Sequence, residues 1–149
     1  MAYDPFCGKE MRDEVFLETE HFFAVPNLHP ILPGHVLVVP KRHVKGITEL
    51  GSAEVADLKR ILDLLLPRLL EANGTDSYNL SINNGIAAGM SIPHMHVHVV
   101  PRHRTDAFQK EGIKAFYTSL ENETPQASGN FEAEVAALRK LFKYESGER

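Results

Sequence analysis

Three histidines, His94, His96 and His98, alternate with Met95, Val97 and Val99 in a chain of 149 residues. Side chains on an extended strand alternate between faces, so the three imidazoles share one face at steps of ~7 Å and the apolar residues share the other. Two chemistries suit imidazoles in register: a metal centre, because His is a common zinc ligand, or nucleophilic attack. A solvated row of histidines is the inert alternative, and the residues just before it weigh against that. Asn84-Gly85-Ile86-Ala87-Ala88-Gly89-Met90-Ser91 contains two glycines and two alanines, which let backbone approach a ligand closely. A catalytic zinc site needs a further ligand and usually a carboxylate base, and only Asp76 and Asp106 stand nearby in sequence. The loop, in contrast, offers backbone N–H groups and the Ser91 hydroxyl, while Arg102, His103 and Arg104 bring positive charge. Phosphoryl chemistry is therefore expected. An imidazole with its ordinary pKa of ~6.5 is largely neutral at pH 7, so His96 can attack phosphorus if a carbonyl holds its other N–H.

The elements that must position these groups are legible on both sides. Val15-Phe16-Leu17 and Phe22-Phe23-Ala24-Val25 read as a hairpin closed by Pro26, and His35-Val36-Leu37-Val38-Val39 reads as a central strand stopped by Pro40. From Ser52, a plausible N-cap, Val55, Leu58, Leu62, Leu65, Leu66 and Leu69 recur at helical spacing toward Asn73-Gly74. Pro67 predicts a kink or an early end there. Tyr78, Leu80 and Ile82 alternate with polar residues as a half-buried strand, and Met95 to Val100 reads as another, ended by Pro101. Residues 102–130 read as polar and irregular, and Phe131 to Tyr144 reads as a terminal helix with Val135, Leu138 and Leu141-Phe142 on one side.

Length and composition bound the rest. One domain over 1–149 is the default at this size, and 16 Lys and Arg against 20 Asp and Glu give a net charge of −4. No global attraction to nucleic acid or to an anionic membrane follows, and no apolar run approaches the ~20 residues that cross a bilayer. The single Cys7 and an acidic start without an apolar stretch point to a cytoplasmic protein.

The stretch from Asn83 through Gly85, Gly89, His94, His96 and His98 to Arg102 resembles the signature of the histidine triad (HIT) superfamily, H-x-H-x-H after a glycine-rich loop. Val15 to Thr19, Asn27, Pro33-Gly34-His35-Val36-Leu37-Val38, Glu54 to Leu58 and Ala136 to Arg139 are similar to its fragile-histidine-triad (Fhit) branch. The resemblance implies an α+β fold, an antiparallel sheet with a long helix and a C-terminal helix, and a homodimer using the helix at 52–73 and the strand at 95–100. It implies hydrolysis of dinucleoside polyphosphates at the α-phosphate through a nucleotidyl-histidine intermediate, releasing a nucleoside monophosphate. The alternatives are a Hint-like nucleoside phosphoramidase and a nucleotide-sensing module with slow hydrolysis.

By the same resemblance His96 is the nucleophile, His98 contacts the scissile phosphate and leaving group, His94 orients the others, and His35 backs the triad. Asn27 falls where the nucleoside binds, Asn83 near the phosphates, and Gly89, Met90, Ser91 and Ile92 where phosphate is cradled. Met90 replaces the usual Gln. Arg102 and Arg104 are expected to neutralise a polyphosphate leaving group. No cofactor is required for the covalent step, and a divalent metal arriving with the nucleotide is compatible with it. Asp4-Pro5-Phe6-Cys7 resembles the C-x-x-C of zinc-binding relatives, with His43 and His94 as partners; Asp4 stands in for a thiolate, so structural zinc is not expected.

Overall fold

The computed structural model describes residues 4–7, 12–90, 92–109 and 131–145, and the architecture among them is α+β. Five strands form one antiparallel sheet: β1 (Leu17–Glu18), β2 (Phe22–Pro26), β3 (Val36–Pro40), β4 (Ser77–Ile82) and β5 (Val97–Arg102). Their order is β1-β2-β3-β5-β4, which puts β3 at the centre, as its uninterrupted apolar run implies. Helices α1 (Ser52–Ala72) and α2 (Phe131–Phe142) complete the described fold. Neither is long and apolar enough to cross a membrane.

Alternation along the strands builds the core. Ala24, Val36, Val38, Val97 and Val99 meet Ile61, Leu65 and Leu69 of α1 and Leu138 and Phe142 of α2. The opposite face carries a smaller apolar cluster of Phe6, Val15, Phe23, Val25, Leu37 and Val39. Beyond that cluster lie the histidines.

Three local readings differ from the sequence expectation. Gly51, not Ser52, caps α1, and the Glu54 carboxylate accepts the Gly51 N–H at 3.0 Å. Helix α1 also continues through Pro67 to Ala72. A proline inside a helix costs about 3 kcal/mol, but Leu65 and Leu69 on either side are 0% and 1% exposed, and burying each contributes about 1.5–3 kcal/mol. Pro101 lies within β5 instead of ending it, past the stretch Val97–Val99 that pairs with β3.

A further difference concerns β4. Tyr78, Leu80 and Ile82 pair with Pro101, Val99 and Val97 and so point to the helix side of the sheet, yet they are 43%, 43% and 37% exposed. Helix α1 packs over β1 and β2, leaving this end of the sheet uncovered. The strand at 95–100 is interior, and β4 is an edge of the sheet.

Candidate active site

Met95, Val97 and Val99 enter the helix-side core, so His96 and His98 are turned to the opposite face. The alternation begins before the strand itself: β5 starts at Val97, and His94 and His96 lie in the bend that leads into it. The His96 and His98 rings sit 4.9 Å apart between centroids at 66°. Phe6 packs against the rings of both His94, at 5.5 Å, and His96, at 5.2 Å, closing the apolar side of the site.

Each imidazole has a defined partner. His96 Nδ1 donates to the His94 carbonyl at 2.8 Å; a carbonyl can only accept, so the Nε2 lone pair of neutral His96 is left for chemistry. His94 is 0% exposed, and its Nε2 donates to the Pro40 carbonyl at 2.8 Å. His35, 2% exposed, stands just before β3 and places Nε2 2.9 Å from His98 Nδ1. The register explains this contact: Leu37 of β3 lies opposite His98 of β5, and His35 is two residues back on the same face.

Burial sets the charge state of these rings. It pushes His35 well below the ordinary imidazole range, and the neighbouring His98 and His96 push the same way. His98 is lowered to about 3 by burial and by His96. Burial also lowers His96, against the bond to the His94 carbonyl. All three are neutral at pH 7, the state in which His96 is a nucleophile.

The glycine-rich loop is bonded within itself. Gly85 and Gly89 take φ of +90° and +89°, a conformation that favours glycine, and the turn closes on itself. The N–H groups of Ala88 and Met90 donate to Gly85 O and that of Gly89 to Ile86 O, while Gly85 N–H donates to the Met90 thioether at 3.4 Å. These four amides are spent inside the loop. The Met90 side chain, standing where a polar amide is usual, therefore braces the turn. Ile92 packs beside the Phe6 cluster. Ser91 lies outside the described residues, as do the residues of the 102–130 segment from 110 onward.

Asn83 accepts from Ser81 Oγ at 3.1 Å, and Ser81 lies directly opposite His98 in the sheet. Ser81 is a neighbour of the triad that the sequence reading passed over; its only signal was its place on the polar face of an alternating strand. Asn27 turns its amide to the back of the site: Oδ1 accepts from His29 N–H, and Nδ2 lies 3.2 and 3.5 Å from the two nitrogens of His35.

Arg102 is placed elsewhere. It lies four residues beyond His98, about 13 Å along the strand, and its guanidinium meets Asp106 at 2.8 Å, Asn79 Oδ1 at 2.6 Å and the Gln109 carbonyl at 2.7 Å. It organises the segment after β5. A cavity of about 720 Å³ lies at this end, lined by Thr75, Asp76, Arg102, His103 and Arg104 and by none of His35, His94, His96 and His98.

The four residues weighed for zinc do converge. Asp4, Cys7, His43 and His94 each offer one ligand atom, all within 4.8 Å of one another. Asp4 Oδ2 is the hub, 2.6 Å from His43 Nδ1, 2.9 Å from His94 Nδ1 and 3.0 Å from Cys7 Sγ. Carboxylate, thiol and two imidazoles are all zinc ligand types, so the donor set fits that ion.

The HIT domain family model matches residues 8–105. The chain belongs to the HIT domain family. A bis(5'-adenosyl)-triphosphatase of Dictyostelium discoideum is 35% identical over 133 residues, which cover 89% of this chain and 87% of that protein. An asymmetrical bis(5'-nucleosyl)-tetraphosphatase of Schizosaccharomyces pombe is 37% identical over 111 residues, covering 72% of this chain and 58% of that one. The solved structure of a zinc-bound histidine triad family protein from Mycobacterium smegmatis superimposes with a TM-score of 0.64 at 25% identity, covering 87% of this chain and 83% of that one. The α+β expectation and the HIT assignment are thereby met.

Proposed function

We propose that this HIT protein hydrolyses dinucleoside polyphosphates at the α-phosphate, with His96 as the nucleophile. The observation that carries this is the fixed tautomer of a buried, neutral His96 whose free Nε2 stands beside His98. The names of the relatives support the substrate class. His96 Nε2 forms a bond to the α-phosphorus as the bridging P–O bond breaks, and the remaining nucleotide departs with that electron pair. Water then attacks the same phosphorus, the P–N bond returns its electrons to Nε2, and a nucleoside monophosphate is released. Incubation with diadenosine triphosphate, diadenosine tetraphosphate and adenosine 5'-phosphoramidate, with products read by mass spectrometry in ¹⁸O-water, tests this. AMP carrying one ¹⁸O is expected, with ADP from the triphosphate and ATP from the tetraphosphate, at higher kcat/KM than the phosphoramidate. A better phosphoramidate substrate assigns the site to Hint-like chemistry, and a long-lived complex with negligible turnover assigns it to nucleotide sensing.

Two structural readings accompany this one. Asp4, Cys7, His43 and His94 hold one divalent ion of the zinc type, in a structural role, because four donor atoms already converge there. The sequence expectation against zinc weighed the missing thiolate and not this geometry. Metal analysis of the purified protein is expected to give about one ion per chain, lost on dialysis of Cys7→Ser; metal-free protein of unchanged stability rules the reading out.

The chain also forms a homodimer through β4. An edge strand with exposed Tyr78, Leu80 and Ile82 is an open template for pairing, and α1 adds exposed Val55 and Leu64. Sedimentation is expected to show a dimer at micromolar concentration and a monomer for Leu80→Arg. A monomeric wild type refutes it.

A further inference from the structure

The proton on His98 has to be on Nε2 if that ring is to donate toward a phosphate oxygen, and a neutral imidazole can carry its proton on either nitrogen. Its Nδ1 faces His35 Nε2, and two imidazoles in contact can share their proton either way. The decision is made one step further back. The backbone N–H of Ile31 points at His35 Nδ1, with N and Nδ1 3.1 Å apart. A backbone amide can only donate, so His35 Nδ1 accepts and the neutral ring carries its proton on Nε2. His35 then donates to His98 Nδ1, which leaves the His98 proton on Nε2.

We propose that the Ile31 amide is the positioning group that fixes the proton arrangement of His35 and His98; for its catalytic consequence this rests on the hydrolase reading above. Two features hold that amide in place. The turn closes with His35 N–H on Leu32 O at 3.2 Å and Asn27 N–H on His35 O at 3.0 Å. Gly34 takes φ +85°, and a Cβ there would lie 2.7 Å from Asn73 Oδ1, so the turn has one geometry. The Asn27 amide does not compete for the ring protons. Its nitrogen is nearly equidistant from both His35 nitrogens, a position reached only over the ring face, because in the plane it would collide with Cε1. The buried neutrality of His35 keeps both of its nitrogens from being protonated together.

The test needs no substrate. Two-bond ¹H–¹⁵N correlation spectra of the free protein are expected to show Nε2–H on His35 and His98 and Nδ1–H on His96, with a coupling across the hydrogen bond between Ile31 ¹⁵N and His35 ¹⁵Nδ1. Replacing Ile31 by its α-hydroxy acid turns the amide into an ester, which removes this donor and weakens the Pro30 carbonyl as an acceptor while keeping every side chain. His35 and His98 are then expected to move their protons to Nδ1 while His96 is unchanged, and Ile31→Val, which keeps the N–H, is expected to leave all three alone. With dinucleoside polyphosphate the ester variant is expected to lose about tenfold or more in kcat with little change in KM. An ester variant with unaltered His98 overturns the proposal. If that variant does not fold, a proton on His35 Nδ1 in the wild type overturns it equally. Wild-type protein that shows the expected protons but no hydrolysis refutes the hydrolase reading and leaves this one standing.

Discussion

His96→Ala is expected to lower turnover of diadenosine polyphosphates by about 10⁴-fold or more, because no neighbouring group replaces a covalent nucleophile. His98 already has His35 at Nδ1, and His94 is committed to Pro40 and to the Asp4 cluster. Neither presents a free lone pair in the place His96 occupies. His96 is 6% exposed and packs on Phe6 and His98, so its truncation leaves a small cavity, and some stability is lost with it. Near-UV circular dichroism and the melting temperature separate that loss from the loss of chemistry, and single-turnover mass spectrometry checks for the adduct directly. The wild type is expected to form a labile adduct of one nucleotidyl group, and the variant none. A variant that folds and retains wild-type rates removes His96 from the mechanism.

Acid is expected to destabilise the protein well before its carboxylates are neutralised. His98 is held at about 3 by burial and by His96, against an ordinary value of ~6.5 in the unfolded chain. Its folded pKa is depressed, so its contribution is fully present above pH ~6.5 and is lost as pH falls toward the folded value, because the unfolded chain takes up a proton that the native state refuses. At pH 5 this one group costs about 2 kcal/mol. His35, pushed in the same direction by burial, adds to the loss with the same sign. Urea unfolding at pH 7.5 and pH 5.0 measures the difference, which is a large part of the 5–15 kcal/mol that holds a typical domain. His98→Asn is expected to be less stable at pH 7.5 but to show a smaller difference between the two pH values. Equal stability at pH 5.0 and 7.5 in the wild type contradicts the buried neutral cluster.

The readings that held in the sequence are those that depend on near neighbours. Period two carried His96 and His98 to one face and Met95, Val97 and Val99 to the other, and it did so even before the strand formally begins. Period 3.6 gave both helices, and an unbroken apolar run gave the central strand β3. The readings that failed depend on what lies across the sheet or over it. Alternation in β4 correctly separated Tyr78, Leu80 and Ile82 from the polar residues, but whether a helix covers that face is decided by where α1 lands. Which side chains meet the positive charge after the triad is likewise set by the sheet, whose register brings Arg102 to Asn79 on β4 and to Asp106.

The amino-acid sequence by itself determined the chemistry available, three imidazoles in register beside a glycine-rich turn, because residue type and strand period are local properties. Only the tertiary structure decided how those imidazoles are protonated and braced. His35 reaches His98 across 63 residues through the pairing of β3 with β5, and Asp4 reaches His94 across 90 through the fold of the N-terminal turn. Sheet register is set by the simultaneous burial of both apolar faces, a condition that no single segment carries, and it is the register that turns a row of histidines into a directed set of donors and acceptors.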